Sequence, residues 1–142
     1  MTMRRQTGSA MVEFALITPL LLLLLAGVLD YSMALRTAIA VSDAARAGAH
    51  YGSLSQANAS DTAGMQAAAR NAVPNLTGMT VTPILSCKCP NGSAVSCTGS
   101  CGSGAMSVFA EVTAQTTARN AFSYPGLSFS GAVSAKAVMR AR

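Results

Sequence analysis

Four cysteines lie close together in one short stretch of the chain. Cys87, Cys89, Cys97 and Cys101 follow the spacing C-x-C-x7-C-x3-C in a segment rich in Gly, Ser and Asn. Thiols in such a group either oxidise to disulfides or bind zinc as thiolates. The spacing differs from the paired C-x2-C of zinc ribbons. We therefore expect two disulfides and no metal site, with a zinc site as the alternative.

The pairing of these cysteines is only partly determined by their order. A ring closed between Cys87 and Cys89 would be strained, so we expect bonds that join these two residues to Cys97 and Cys101. The sequence does not choose between the two ways of making such bonds. If loop 87–101 lies outside the cytoplasm, its cysteines are expected to be oxidised, because disulfides persist there.

Glu13 is another candidate functional residue, because its carboxylate borders a long apolar run. No charged residue occurs from Phe14 to Leu29, whereas Arg4 and Arg5 precede the run. A carboxylate that enters lipid is costly unless an opposite charge compensates it. Glu13 is thus a candidate for a specific ion pair, and a side chain that merely reaches back to the interface is the alternative.

The apolar run predicts a membrane anchor. Phe14 to Leu29 spans roughly 24 Å of helix, short of the ~30 Å hydrocarbon core, so we predict a transmembrane segment over about residues 11–33. Arg4 and Arg5 would keep the N-terminus cytoplasmic. The C-terminal part would then be periplasmic or extracellular. Pro19 is expected to kink or loosen the helix, because it lacks an N–H.

Catalytic constellations are missing from the sequence. The single histidine, His50, lies on a predicted helix beside Arg46 and is expected to be solvated rather than catalytic, and the five acidic residues are scattered. No glycine loop suits a phosphate, and no basic patch is interleaved with aromatic residues. We expect a protein that is not an enzyme, needs no cofactor and makes no nucleic-acid contact as an isolated subunit.

The N-terminal motif resembles a known family. Gly8 lies five residues before Glu13 at the polar-to-apolar boundary, as in type IV prepilins. GSAMVEFAL at 8–16, followed by Pro19, Gly27, Asp30 and AARAGA at 44–49, resembles the TadE-like minor pilins (pseudopilins) of Tad/Flp pilus systems. The resemblance covers roughly the first 50 residues.

The resemblance implies a processed pilus subunit. A prepilin peptidase would remove leader 1–8 by cutting between Gly8 and Ser9. The new amine of Ser9 would pair with Glu13 of a neighbouring subunit, and Glu13 with Phe14 would set the subunit register. The implied partners are that peptidase, other major and minor pilins, and the inner-membrane assembly platform. The implied location is the bacterial inner membrane and then the pilus, with roles in adhesion, surface colonisation or DNA uptake.

Two other functions are compatible with the N-terminal sequence. Cleavage by signal peptidase near Ala34 would release a secreted, disulfide-bridged binding protein. Without any cleavage, the chain would remain a plain bitopic membrane protein.

Small residues continue the helical pattern beyond the membrane segment. A spacing of 3-4-3-4-3 predicts a packing seam on one long helix over 9–51. The seam suits contacts with other pilins, and the alternative is that it covers the domain's own sheet. Its members are Tyr31, Ala34, Ala38, Val41, Ala45 and Gly48.

Residues 52–142 are predicted to form a small α+β domain. A polar loop over 52–59 leads to a helix capped by Ser60 or Asp61 and stopped by Pro74. Alternating residues predict strands over 79–86, 105–118 and 131–140, with a turn at 124–126 before the last strand. Pro83 favours an edge position for the first strand. The predicted fold class is α+β, with a long N-terminal helix, a second short helix and a three-stranded antiparallel sheet.

Overall fold

The computed structural model describes residues 9–102, 104–118 and 131–142. Arg4, Arg5, Gly8 and the predicted turn at 124–126 lie outside these residues. The elements in chain order are α1 (Ser9–Ser53), α2 (Gln56–Ser60), α3 (Thr62–Ala72), β1 (Thr80–Lys88), β2 (Ala94–Val95), β3 (Ser107–Thr117) and β4 (Ala132–Arg140).

Helix α1 is 45 residues long and continues through Pro19. Leu and Ala, which are strong helix formers, supply about half of the residues in its first half. The hydroxyl of Thr18 donates to the carbonyl of Phe14 at 2.6 Å. The prediction of one long N-terminal helix is confirmed, and the observed helix ends two residues later than predicted.

The sheet has four strands in the order β2-β1-β3-β4, and every neighbouring pair is antiparallel. The prediction of three strands was therefore wrong. The additional strand, β2, has two residues, which pair with Cys87 and Lys88 of β1. Two residues are too few to show an alternating pattern. Within residues 9–102, 104–118 and 131–142, the rest of β1, including Pro83, pairs only with β3 and so lies at the edge of the described sheet, which agrees with the position expected from Pro83.

The segment predicted as a polar loop over 52–59 contains helix α2, which corrects that prediction. The N–H of Asn58 donates to the Ser55 hydroxyl at 3.1 Å, which caps the helix at its N-terminus. Helix α3 follows directly and begins at the cap residue Asp61. The predicted second helix and one of its two candidate caps are thus observed.

The core lies between the second half of α1, helix α3 and one face of the sheet. It is built almost entirely from small side chains, and Met65 and Val41 are among its largest fully buried members. The alternation predicted for β3 is observed in its central part, because Ala110, Val112 and Ala114 are completely buried and the residues between them are not. The fully buried residues from the three layers are Val41, Ala44, Ala49, Met65, Ala69, Ala110, Val112 and Ala114.

Both predicted disulfides are present, and the structure selects one pairing. Cys87 bonds to Cys97 and Cys89 to Cys101, with Cα–Cα distances of 5.2 and 5.6 Å. Cys87 is 2% exposed, whereas Cys89, Cys97 and Cys101 are partly exposed. The inner bond therefore joins a buried residue of β1 to the segment that follows β2, whereas the outer bond joins two partly exposed residues.

Removing the inner disulfide is expected to cost more stability than removing the outer one. The bonds join residues 10 and 12 positions apart, so loop closure alone assigns about 3 kcal/mol to each. The double variant Cys87→Ala/Cys97→Ala also removes the buried sulfur of Cys87 and leaves a void there, whereas Cys89→Ala/Cys101→Ala removes only partly exposed atoms. Thermal unfolding of both variants measures the difference. An equal or larger loss for the outer pair would contradict this assignment.

Candidate functional site

The two halves of α1 have opposite surroundings. Phe14 is 67% and Leu16 75% exposed, whereas Val41 is completely buried. In the described part of the chain, α1 is the one helix long and apolar enough to cross a membrane, and its most apolar window has no buried residue. The exposed large apolar residues of α1 are Met11, Val12, Phe14, Leu16, Ile17, Leu20, Leu21, Leu22, Leu23, Leu24, Leu25, Val28, Leu29, Tyr31, Met33, Leu35 and Ile39.

This surface is far larger than a water-soluble domain normally exposes. Monomeric soluble proteins rarely expose a continuous apolar patch of more than a few hundred Å². A helix that exposes apolar side chains on all sides, called the apolar sleeve below, must therefore be covered by lipid or by other helices. The first half of α1 is the candidate functional site, with membrane insertion and subunit contact as its two compatible uses.

Glu13 and Phe14 lie in the second turn of α1, and both side chains are exposed. Helix α1 begins at Ser9, four residues before Glu13, which corresponds to roughly 6 Å along the axis. The predicted cleavage point is the bond between Gly8 and Ser9. Gly8, on the other side of that bond, is outside the described residues.

The predicted packing seam is divided between two environments. Val41, Ala45 and Gly48 are buried against the domain's own sheet and α3. Ala34 and Ala38 are half-buried, and Tyr31 is 67% exposed. The alternative that the seam covers its own sheet therefore holds for the later residues. Contact with other pilins remains a prediction for the earlier ones.

Two glycines allow α1 to approach the domain closely. A Cβ on Gly48 would lie 2.9 Å from the Met65 carbonyl oxygen, and a Cβ on Gly52 would lie 2.5 Å from the Ala110 Cβ. Sequence reasoning included Gly48 in the seam but missed Gly52. The signal was available, because glycines four residues apart lie on one face of a helix.

A side-chain hydrogen bond joins the end of α1 to the start of α3. The Tyr51 hydroxyl donates to Asp61 Oδ2 at 2.9 Å, and the Gly64 N–H donates to Asp61 Oδ1, also at 2.9 Å. The Gly64 bond, followed by the Tyr51 bond, lowers the pKa of Asp61. The hydrogen bond to Asp61, followed by the charge of its carboxylate, raises the pKa of Tyr51. This link orients the two helices, and sequence reasoning missed its tyrosine.

The Asp61 link predicts a loss of stability in acid. The pKa of Asp61 is lower in the folded than in the unfolded chain. The ionised Asp61 carboxylate therefore stabilises the folded state above about pH 3.9, and this stabilisation is lost as the pH falls through the folded pKa. Asp61→Asn keeps a good cap but removes the charge, so its melting temperature should fall less between pH 5 and 2. Asp43→Asn, at an exposed position of α1, should retain the wild-type profile. Identical profiles for wild type and Asp61→Asn would contradict the link.

Metal-binding geometry is not found among the described residues, where no group of three His, Cys, Asp or Glu side chains could hold an ion. Thr37, Arg36 and the α3–β1 loop line shallow clefts on one end of the domain. The described polar residues of these clefts supply a guanidinium group, hydroxyl groups and an amide.

Comparison with known proteins identifies the N-terminal segment. The model of the TadE-like protein family matches residues 8–50, which comprise Gly8 and almost all of α1. No curated protein and no solved structure gives a match to the chain. The resemblance that the N-terminal residues indicated is thus confirmed, because residues 8–50 are similar to the TadE-like protein family.

Proposed function

We propose that this chain is a minor pilin or pseudopilin of a Tad/Flp-type pilus. The observation that carries the proposal is the exposed apolar sleeve on the first half of α1, within the segment that matches the TadE-like family. A sleeve of this kind is suited first to lipid and then to the helical core of a filament. The small disulfide-bonded domain would remain outside the membrane, where its two bonds are stable.

Processing prepares the subunit for assembly. A prepilin peptidase would cut after Gly8, whose missing side chain lets the enzyme approach the backbone closely. The chain would then start at Ser9, with a positive amine one helical turn before Glu13. Arg4 and Arg5 would have kept the leader in the cytoplasm until that cut.

Glu13 would select the position of the incoming subunit. A carboxylate in lipid carries a desolvation cost of several kcal/mol. Pairing with the Ser9 amine of a neighbouring subunit would offset that cost only when the two helices have one axial offset. The pair would thus favour transfer from the bilayer into the filament in a defined register, together with other pilins and the inner-membrane assembly platform. Adhesion and surface colonisation are the expected uses of such a pilus.

One intact-mass measurement distinguishes this function from its two alternatives. Protein extracted from membranes should have a mass that begins at Ser9. A mass that begins at Leu35 would support a secreted binding protein, and one that begins at Met1 would support an unprocessed bitopic protein. Either of these results would reject the proposed processing. Mass measured under reducing and non-reducing conditions should also show both disulfides.

A further inference from the structure

We propose that the membrane-proximal end of the outer domain holds the phosphate of a phospholipid headgroup, with Arg36 as its cationic ligand. The inference relies on the membrane-spanning part of the proposed function, but not on cleavage or assembly. It also explains a basic residue that nothing in the fold otherwise uses. No ion pair to Arg36 is found in the described part of the chain, and its side chain is exposed.

The depth of Arg36 follows from helix geometry. If Glu13 marks the inner edge of the hydrocarbon core, about 20 helical residues at about 1.5 Å each cross its ~30 Å and end near Met33. Arg36 follows three residues later, or roughly 4.5 Å farther along the axis. Headgroups occupy about 5–7 Å on each side of the core. Arg36 therefore lies in the layer that contains the lipid phosphates.

Two neighbouring clefts of the domain share Arg36 in their walls. One cleft is formed with the segment 72–76, at the end of α3. The other is formed with Asn75, Thr77 and the last residues of β3, Thr116 and Thr117. The walls thus combine a guanidinium group with hydroxyl and amide groups, which are the usual hydrogen-bonding partners of a phosphate oxygen.

The charge and polarity of the clefts fit one end of a lipid. Among the residues that the structure describes, no acidic side chain lines either cleft, so none of them neutralises the charge of Arg36 there. Met33 lies on the membrane side and is 44% exposed, and Leu76 is half-buried in the wall shared by both clefts. Apolar residues next to the cation suit the start of the acyl chains. We therefore assign the occupant as a phospholipid of the surrounding bilayer, with anionic lipids favoured.

Arg46 provides a matched control on the same helix. It is also exposed, but it lies ten residues farther on, or roughly 15 Å, which places it beyond the headgroup layer. Neither cleft includes it. A general attraction between a basic protein and anionic lipid would depend on both arginines, whereas the proposed site depends on Arg36 alone.

Native mass spectrometry of the full chain in detergent micelles containing phosphatidylglycerol tests the site. Wild type, Arg36→Lys and Arg46→Gln should retain bound lipid, and Arg36→Gln should retain at least about threefold less. Equal retention by Arg36→Gln, or an equal loss in Arg46→Gln, would overturn the proposal. So would displacement of the lipid by millimolar inorganic phosphate, because the ligand would then be free phosphate. Thermal unfolding of each variant confirms that the domain is folded, and none of these outcomes depends on pilus assembly.

Discussion

Gly52→Val is expected to unfold the outer domain, whereas Gly27→Val in the same helix is expected to leave it folded. A Cβ on Gly52 would lie 2.5 Å from the Ala110 Cβ and 2.7 Å from the Met65 Sδ, both in the fully buried core. Overpacking of this kind costs about 1–3 kcal/mol or more, which is a large fraction of the total stability of a small domain. Around Gly27, an added Cβ would find no atom within 4 Å.

Calorimetric melting in detergent measures this difference. Both substitutions place the same β-branched side chain on α1, so helix propensity changes by a similar amount in each. Gly52→Ala should give an intermediate melting temperature, because it adds the Cβ alone. If Gly52→Val and Gly27→Val melted at the same temperature as wild type, the close approach of α1 to β3 would be wrong.

The sequence was sufficient for the elements with strong periodic patterns. The apolar run and the spacing of small residues predicted α1, and the alternation in β3 correctly predicted its buried face. The cap residue Asp61 and the helix-breaking Pro74 correctly predicted the two ends of α3. These features depend on local rules, since each can be recognised from residues within a few turns or a few positions of one another.

The features that were missed depend on tertiary contacts or on very short segments. Strand β2 has two residues and is defined by its pairing with β1 beside the Cys87–Cys97 bond. Helix α2 has five residues in a stretch that is polar throughout. The choice of disulfide pairing and the Tyr51–Asp61 link both require the positions of separate elements. The spacing of Gly48 and Gly52 placed both on one face of α1, but the structure was needed to show that Gly52 meets Ala110.

Glu13→Leu is expected to block entry of the subunit into filaments without preventing its insertion into the membrane. The substitution makes the helix more apolar, so insertion is not impaired. It removes the charge that would pair with the Ser9 amine of a neighbour. A loss of 1.4 kcal/mol of binding free energy lowers the equilibrium constant for incorporation into the filament about tenfold. The loss should exceed this value, because the substitution would leave the neighbour's Ser9 amine buried without an opposite charge.

Controls separate the charge from the size and position of the side chain. Glu13→Gln keeps the size and loses the charge, so it should behave like Glu13→Leu. Glu13→Asp keeps the charge and should retain part of the assembly. All three variants should be present in membranes with an N-terminus at Ser9, which shows that processing is intact.

The amount of the subunit in filaments sheared from cells, relative to the amount in membranes, measures the role of Glu13 most directly. Wild type and Glu13→Asp are expected in the sheared fraction, with Glu13→Leu and Glu13→Gln lower by at least about tenfold. If Glu13→Leu entered filaments at the wild-type level, the carboxylate would have no part in assembly.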